Sequence, residues 1–171
     1  TKFKEITNDT HTIELYSHMG SLEQGYNEIS LRIKENATNN YIKNAEVSWA
    51  PLMHMTMMTH SCPYSAVEKV TENGTLYEGY IMFQMAQNET EYWDLKIDYT
   101  INGVDYTATD VIDVPASAKR KVNTFTGSDG VKYLVAYIEP HHPKVAVNDM
   151  KVGVWKMQSM MNFPVVDGYT V

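Results

Sequence analysis

Apolar and polar residues alternate along much of the first 114 positions. In "YNEISLRIKEN" the alternation places Ile29, Leu31 and Ile33 on one face and the polar residues between them on the other. "THTIELYS" places Ile13 and Leu15 on one face in the same way. A period of two residues is that of a β-strand with one buried face, so each of these segments is predicted to be a strand.

Turn signals separate these predicted strands at short intervals. "ATNN", "TENGT", "QNET" and "NGV" each lie between two alternating segments, and a sustained helical period is absent. The pattern predicts about seven short antiparallel strands over roughly 110 residues, which is typical of an immunoglobulin-like β-sandwich. We therefore predict an all-β fold with an immunoglobulin-like antiparallel sandwich in residues 1–114.

A second set of strand signals follows Pro115. "VPASAKRKVNT" contains small and basic residues, and we predict a linker over residues 115–130. Residues 131–171 then contain three strand-like segments, "VKYLVAYIEP", "NDMKVGVWKM" and "VDGYTV". "VNDMKVGV" (147–154) also repeats the pattern of "YNEISLRI" (26–33), an asparagine and an acidic residue before alternating apolar positions. Residues 131–171 are therefore predicted to be a partial second copy of the sandwich.

An incomplete sandwich leaves strand edges unpaired. We expect residues 117–171 to pack on the first domain, to pair with another chain, or to belong to a longer protein. We favour a fragment of a longer protein, with pairing between chains as its consequence, including a possible homodimer through residues 131–171.

Charge and composition exclude several classes of function. The chain has 171 residues, a formal charge of −7 and no basic run longer than Lys119-Arg120-Lys121, so a nucleic-acid partner is not expected. No apolar segment reaches the ~18 residues of a transmembrane helix. A glycine-rich phosphate loop and a Ser-His-Asp spacing are also absent from the sequence. We therefore expect a protein without enzymatic activity and without a transmembrane segment in this chain.

The most unusual segment is "APLMHMTMMTHSCPYS" (50–65), which combines methionines, two histidines and the only cysteine. If the segment were extended, neither of its faces would be polar, and Pro51 and Pro63 bracket it. We therefore predict a loop at one end of the sandwich. Thioether, imidazole and thiol groups together suit Cu(I), whereas a zinc site would need more Cys, His or carboxylate ligands. The candidate metal ligands are His54, His60, Met53, Met55, Met57, Met58 and Cys62.

Other interpretations of this segment remain open from the residues alone. Methionine-rich segments often serve as adaptable core packing, and they also form surfaces that bind peptides or membranes. Cys62 could be a nucleophile if His54 or His60 acted as its base, but the segment offers no third group to orient that base.

Five motifs resemble those of the YtkA-like/FixH-like domain family. They are Gly25-Tyr26-Asn27, Asn44-Ala45-Glu46-Val47, the Met53–His60 segment, Tyr77–Phe83 and Trp93–Ile97. The resemblance covers about residues 10–114 and is weaker in 131–171. It implies an immunoglobulin-like sandwich from a bacterial envelope, periplasmic or lipid-anchored as a lipoprotein, with a role in copper handling and oxidase assembly.

These observations lead to two hypotheses about function. The first is an extracytoplasmic module that binds Cu(I) and has a chaperone- or assembly-like role, with a copper ion or a copper-receiving protein as its partner. The alternative is a structural or interaction domain of a bacterial surface or periplasmic protein, without a metal.

Overall fold

A computed structural model describes residues 1–167, and this part of the chain contains no helix. Its strands are β1 (Lys2–Thr7), β2 (His11–Ser17), β3 (Gly25–Glu35), β4 (Glu46–His54), β5 (Thr59–His60), β6 (Glu68–Lys69), β7 (Tyr77–Phe83), β8 (Tyr92–Ile101), β9 (Val104–Ile112), β10 (Val122–Thr126), β11 (Lys132–Glu139) and β12 (Lys151–Lys156). All pairings between these strands are antiparallel. The predicted all-β fold is therefore confirmed.

Two sheets form the sandwich of the first 114 residues. One sheet has the strand order β1-β2-β3-β7-β6, and the other has the order β5-β4-β8-β9. Ile13 pairs with Ile33 and Leu15 with Leu31 across β2 and β3, and all four side chains are fully buried between the sheets. The alternation in the sequence therefore identified the buried face of these strands, because burial of one apolar face is what fixes strand register.

The region predicted as a loop is partly a strand. β4 continues through Pro51 to His54, so only residues 55–58 form a turn between β4 and β5. Pro51 is tolerated because β5 pairs only with Met53 and His54 of β4. The side of Pro51 that faces β5 therefore needs no backbone N–H for strand pairing. The Pro51 carbonyl instead accepts a hydrogen bond from Ser61 Oγ at 2.7 Å. Pro51 therefore occupies the equivalent of an edge position, where proline is compatible with a sheet.

A third sheet contains β10, β11 and β12 in that order. β11 and β12 confirm two of the strands predicted after residue 130. β10 lies inside residues 115–130, where a linker was predicted, and it forms a strand because it pairs with β11 along its whole length. Val165, just before the third predicted segment, forms a bridge with Trp155, and the last four residues of that segment lie outside the described residues.

The third sheet packs on the outer face of the first domain. Leu134 and Trp155 form a second buried cluster with Met82 of β7. Trp155 Nε1 also donates a hydrogen bond to Tyr80 Oη at 3.1 Å. β7 is therefore covered on both faces, which explains why apolar residues occupy both of its faces in the sequence. The described residues 117–167 thus pack on the first domain, and pairing with another chain or a longer protein remains a prediction.

The opposite face of the third sheet is apolar and only partly covered. Val135 pairs with Val154, and Tyr137 pairs with Val152, so these four side chains share the face directed away from the first domain. Val152 is exposed and the other three are half-buried. This sheet therefore has one face buried against the first domain and one accessible apolar face.

The predicted internal repeat has a clear structural counterpart in two asparagines. The Asn27 side-chain amide donates to the backbone carbonyls two and four residues earlier, and its oxygen accepts from the N–H four residues earlier, at 2.8–3.2 Å. Asn148 makes the same three hydrogen bonds at 2.7–2.9 Å. We call this arrangement the asparagine clip. The first clip spans the start of β3, and the second lies just before β12.

The chain also returns to the sheet in the same way after both strands. Ile42 N–H donates to the Ile33 carbonyl at 2.8 Å, and Val166 N–H donates to the Val154 carbonyl at 2.9 Å. Ile33 and Val154 occupy equivalent positions in the aligned repeats. The two copies therefore share their backbone path around the repeated segment, and the third sheet (β10-β11-β12) corresponds in order to β1-β2-β3.

The clip leads to a prediction about stability. Asn27→Ala should lower the free energy of unfolding by about 1–3 kcal/mol, because it leaves buried backbone groups without partners. Asn148→Ala is the matched control and should cost less, since Asn148 is more exposed than Asn27. Urea denaturation of both variants measures the difference, and equal losses would contradict this account.

Candidate functional site

The β4–β5 hairpin holds most of the candidate metal ligands. Its turn is closed by a hydrogen bond from Met55 N–H to the Met58 carbonyl at 2.9 Å. Met57 lies at the tip with a relative exposure of 92%, and Met58 is half exposed. The hairpin therefore presents two thioethers to solvent at one end of the sandwich.

Strand alternation divides the remaining candidates between two faces. Met53 pairs directly with His60, and both side chains are buried on the inner face. His54 pairs with Thr59 and lies on the outer face. His54 and His60 are thus on opposite sides of a sheet and cannot share one metal ion. The structure brings Met53 and His60 together and separates His54 from them.

The outer-face histidine, His54, already has partners. Its Nε2 lies 2.6 Å from Asp94 Oδ2, and its ring stacks on Tyr92 with the centroids 4.8 Å apart. Tyr92 is the cross-strand neighbour of His54 on β8. The surroundings of His54 are those of a surface histidine held by a carboxylate and an aromatic ring.

His60 is buried, with a relative exposure of 4%, and one of its ring nitrogens has no hydrogen-bond partner among the described residues. Nδ1 lies 2.7 Å from the Ser61 carbonyl oxygen, which can only accept, and 3.3 Å from Gln84 Nε2, which can only donate. We assign the proton to Nδ1 because the Ser61 contact is the shorter one and Gln84 Nε2 already donates to the same carbonyl at 2.9 Å. Nε2 of the neutral ring then has a free lone pair, and no hydrogen-bond donor in residues 1–167 reaches this buried atom. The ring meets Trp93 edge to face at a centroid distance of 5.6 Å.

Two further polar residues line this region, and neither was predicted as a site residue. Gln84 Nε2 donates to the Ser61 carbonyl at 2.9 Å, while Gln84 Oε1 is buried without a hydrogen-bond partner in the described part of the chain. Ser61 is itself buried and links Pro51, His60 and Gln84 through its hydroxyl and carbonyl groups. The only signal in the sequence was a glutamine, Gln84, among the apolar residues of "YIMFQMA" (80–86).

Cys62 and Met55 occupy different environments from the exposed methionines. Cys62 is a free thiol in the core of the sandwich, and burial raises the pKa of this thiol well above its ordinary value. A neutral, enclosed thiol is a poor nucleophile, so the structure does not support the interpretation of Cys62 as a catalytic residue. Met55 is half-buried and packs against the same core.

The second methionine cluster lies beside the hairpin. Ser61 N–H donates to the Met160 carbonyl at 2.8 Å, which places residues 157–161 against the segment that carries His60. Met157 packs into the second buried cluster, whereas Met161 is exposed. The structure thus brings together two methionine-rich segments that are about a hundred residues apart in the sequence.

Three of the remaining histidines also lie near one another. The His18 ring is 6.0 Å from that of His141 and 6.4 Å from that of His142, centroid to centroid, and all three are exposed. Within residues 1–167, however, no group of three or more His, Cys, Asp and Glu side chains is placed to hold a metal ion. A metal site in the described part of the chain would therefore depend on methionine sulfurs.

Comparison of the chain with family models, curated proteins and solved structures gave no match. Among the described residues, no helix is long and apolar enough to cross a membrane. The resemblance to the YtkA-like/FixH-like family therefore remains a prediction from the motifs in the sequence.

Proposed function

We propose that this protein binds Cu(I) at the inner side of the β4–β5 hairpin. The ligands in this proposal are His60 Nε2 and the thioethers of Met53 and Met55. The observation that carries it is the free lone pair of His60, which is buried beside a directly paired methionine. An unpartnered buried nitrogen is costly unless something binds it, and a soft cation supplies the missing partner.

The orientation of His60 supports this assignment. Histidines that bind metals almost always donate their second N–H to a carboxylate, a backbone carbonyl or a water, which fixes the ring and its tautomer. His60 already does so through Nδ1 and the Ser61 carbonyl. This hydrogen bond fixes the ring orientation and leaves the Nε2 lone pair available to bind a metal ion.

The exposed turn of the hairpin supports a role in transfer. Met57 and Met58 are accessible and lie next to Met55 in the chain, so they can capture Cu(I) at the surface and pass it inward. The acidic surface, with a formal charge of −7, favours the approach of a cation. Exchange between single thioethers suits a non-enzymatic chaperone that delivers copper to a receiving protein. The family resemblance supports placing this activity outside the cytoplasm, in the periplasm or at a bacterial envelope.

Replacement of the two inner methionines tests the proposed site. Met53→Leu combined with Met55→Leu keeps side-chain volume nearly constant, so the fold should be retained. We expect Cu(I) affinity to fall by at least about tenfold, the scale of effect that loss of even an outer partner of a metal ligand has. Anaerobic competition with a chromophoric Cu(I) chelator measures this change, with Zn²⁺ as the comparison metal.

Matched variants separate this site from the other candidates. His54→Ala should leave Cu(I) affinity unchanged because His54 faces away from Met53 and His60. Met19→Leu removes an exposed thioether from another part of the protein and should also have no effect. Binding by the double leucine variant as tight as in the wild type would exclude the proposed ligands.

A structural or interaction domain without a metal is the second candidate. It is favoured by the complete burial of Met53 and Cys62 in the main core, as expected of ordinary packing residues. The accessible apolar face of the third sheet would then bind a partner, including a second copy of the chain. This function predicts no stoichiometric Cu(I) binding and, in the wild type, self-association or binding through β11 and β12.

A further inference from the structure

We infer that the second copy of the repeat supplies a ligand, the Met160 thioether, to the Cu(I) site of the first domain. This inference rests on the function proposed above. Its consequence is that metal binding and the docking of the third sheet on the first domain are coupled.

The turn that carries Met160 has a defined geometry. Gln158 N–H donates to the Asn162 carbonyl at 3.0 Å. The Asn162 side-chain amide donates in return to Gln158 Oε1 at 2.8 Å. Met161 N–H donates to Ser159 Oγ at 3.2 Å. These bonds close a tight turn over residues 158–162 and hold Met160 near its tip.

The tip of this turn docks beside His60. The backbone hydrogen bond from Ser61 N–H to the Met160 carbonyl joins the turn to the residue that directly follows β5, an edge strand of its sheet. Met160 is half-buried, whereas the adjacent Met161 is exposed, so the two neighbours differ in how far they are enclosed by the protein. Met160 is thus a methionine of the second copy whose backbone is hydrogen-bonded to Ser61, the residue next to the proposed ligand His60.

Ser61 connects the turn to the orientation of His60. Its N–H donates to Met160, and its carbonyl accepts from His60 Nδ1 and from Gln84 Nε2. The backbone of Ser61 therefore links the docked turn, through its N–H, to the His60 ring, through the carbonyl that accepts from Nδ1. Undocking of the turn would free both the Met160 ligand and the Ser61 backbone that positions His60.

A third thioether also suits the chemistry of the ion. Cu(I) is a soft cation that favours thioether and thiolate ligands, and methionine binds it without losing a proton. A ligand contributed by a separately docked turn can leave without unfolding the sandwich. This arrangement would release copper to a receiving protein when the third sheet moves away.

A purely structural role for the turn makes different predictions. In that case the turn only covers the edge of β5 and provides an acceptor for the Ser61 N–H, as native proteins commonly protect edge strands. The Met160 side chain would then affect packing but not Cu(I) affinity, and Cu(I) would not change the exchange rate of the Ser61 amide.

The experiment compares Met160→Leu with the matched variant Met161→Leu in the full chain. We expect Met160→Leu to weaken Cu(I) binding by about tenfold or more, as for loss of a group that supports a metal site. Met161→Leu should bind as the wild type does. Hydrogen exchange of the Ser61 amide reports docking directly, and Cu(I) should slow it in the wild type and in Met161→Leu but not in Met160→Leu.

A second measurement keeps the test independent of any change in folding. In the wild type, Cu(I) should shift the ¹³C-methyl resonance of Met160 together with those of Met53 and Met55, and leave that of Met161 in place. An unshifted Met160 methyl, or wild-type affinity in Met160→Leu, would overturn the inference. If binding were lost in the Met53/Met55 double variant in the same experiments, the proposed function would still stand; if binding survived there too, both would fail.

Discussion

Replacement of Trp93 with alanine is expected to lower the free energy of unfolding by about 3–5 kcal/mol, the range for truncation of a large buried aromatic residue. Trp93 is fully buried where the two sheets meet. It packs edge to face on Phe83 at 5.1 Å and on His60 at 5.6 Å, centroid to centroid. Its Nε1 also donates to the Met85 carbonyl at 3.0 Å, so truncation leaves a cavity and an unpaired carbonyl.

The neighbouring residue provides a matched control for this prediction. Tyr92 is exposed on the outer face of the same strand. Apart from the loss of its stacking contact with His54, Tyr92→Ala should change the free energy of unfolding by no more than about 0.5 kcal/mol. Urea denaturation followed by circular dichroism gives both values. A loss below about 1 kcal/mol for Trp93→Ala would show that Trp93 is not an anchor of the core.

Acid is expected to destabilise the protein through Glu14, whose side chain is almost fully buried on the outer face of β2. Burial alone would raise the pKa of this carboxyl group. Hydrogen bonds from Tyr16, Tyr41 and Lys34, with the charge of Lys2, outweigh burial and lower the pKa of Glu14 from 4.5 to about 2. The native state thus favours the ionised form, and this stabilisation, roughly 3 kcal/mol, should be lost as the pH falls from about 4.5 to about 2.

The Glu14→Gln variant isolates this contribution. It should be less stable at neutral pH and should show a shallower decrease in stability below pH 4.5, as measured by urea denaturation at a series of pH values. Part of the decrease should persist, because the pKa values of Asp98 and Asp110 are also lowered by hydrogen bonds from their partners. His11 provides an internal reference, because burial lowers the pKa of its imidazole. The stabilising contribution of neutral His11 is complete above about pH 6.5 and decreases as the pH falls below that value. This decrease in stability should persist in Glu14→Gln. An unchanged acid limb would rule out Glu14 as its source.

The sequence predicted the buried faces of the sandwich well where each strand has one apolar side. Ile29, Leu31 and Ile33 are all buried as the alternation indicated. Such patterns are reliable because a shift of one residue would expose the entire apolar set. The same reasoning found β11 and β12 but could not show what their two apolar faces contact.

Elements that depend on distant partners were missed. β10 has mostly polar, exposed residues and exists because β11 pairs with it. β4 continues through Pro51 because the opposing strand β5 is only two residues long. Neither fact has a local signal, since both are set by the length and position of another strand.

The candidate site shows the same division between local and distant information. Composition identified the segment rich in sulfur and imidazole, and proline positions suggested a loop. The register of β4 with β5 decides which side chains share a face, and it separates His54 from His60. Contacts of His60 with Gln84, and of Ser61 with Met160, join segments that are far apart in the chain, so the sequence could not reveal them.

The asparagine clips have a consequence for the order of folding. Each clip closes within five residues of chain, whereas the sheets around it need pairings across much longer loops. Local contacts cost little loop entropy and can form early. Asn27 is buried in its surroundings and Asn148 is half-exposed, yet the bonds are the same, so each clip is specified by its own few residues. We expect both clips to act as early start sites for their strands, which pulse-labelled hydrogen exchange during refolding can detect.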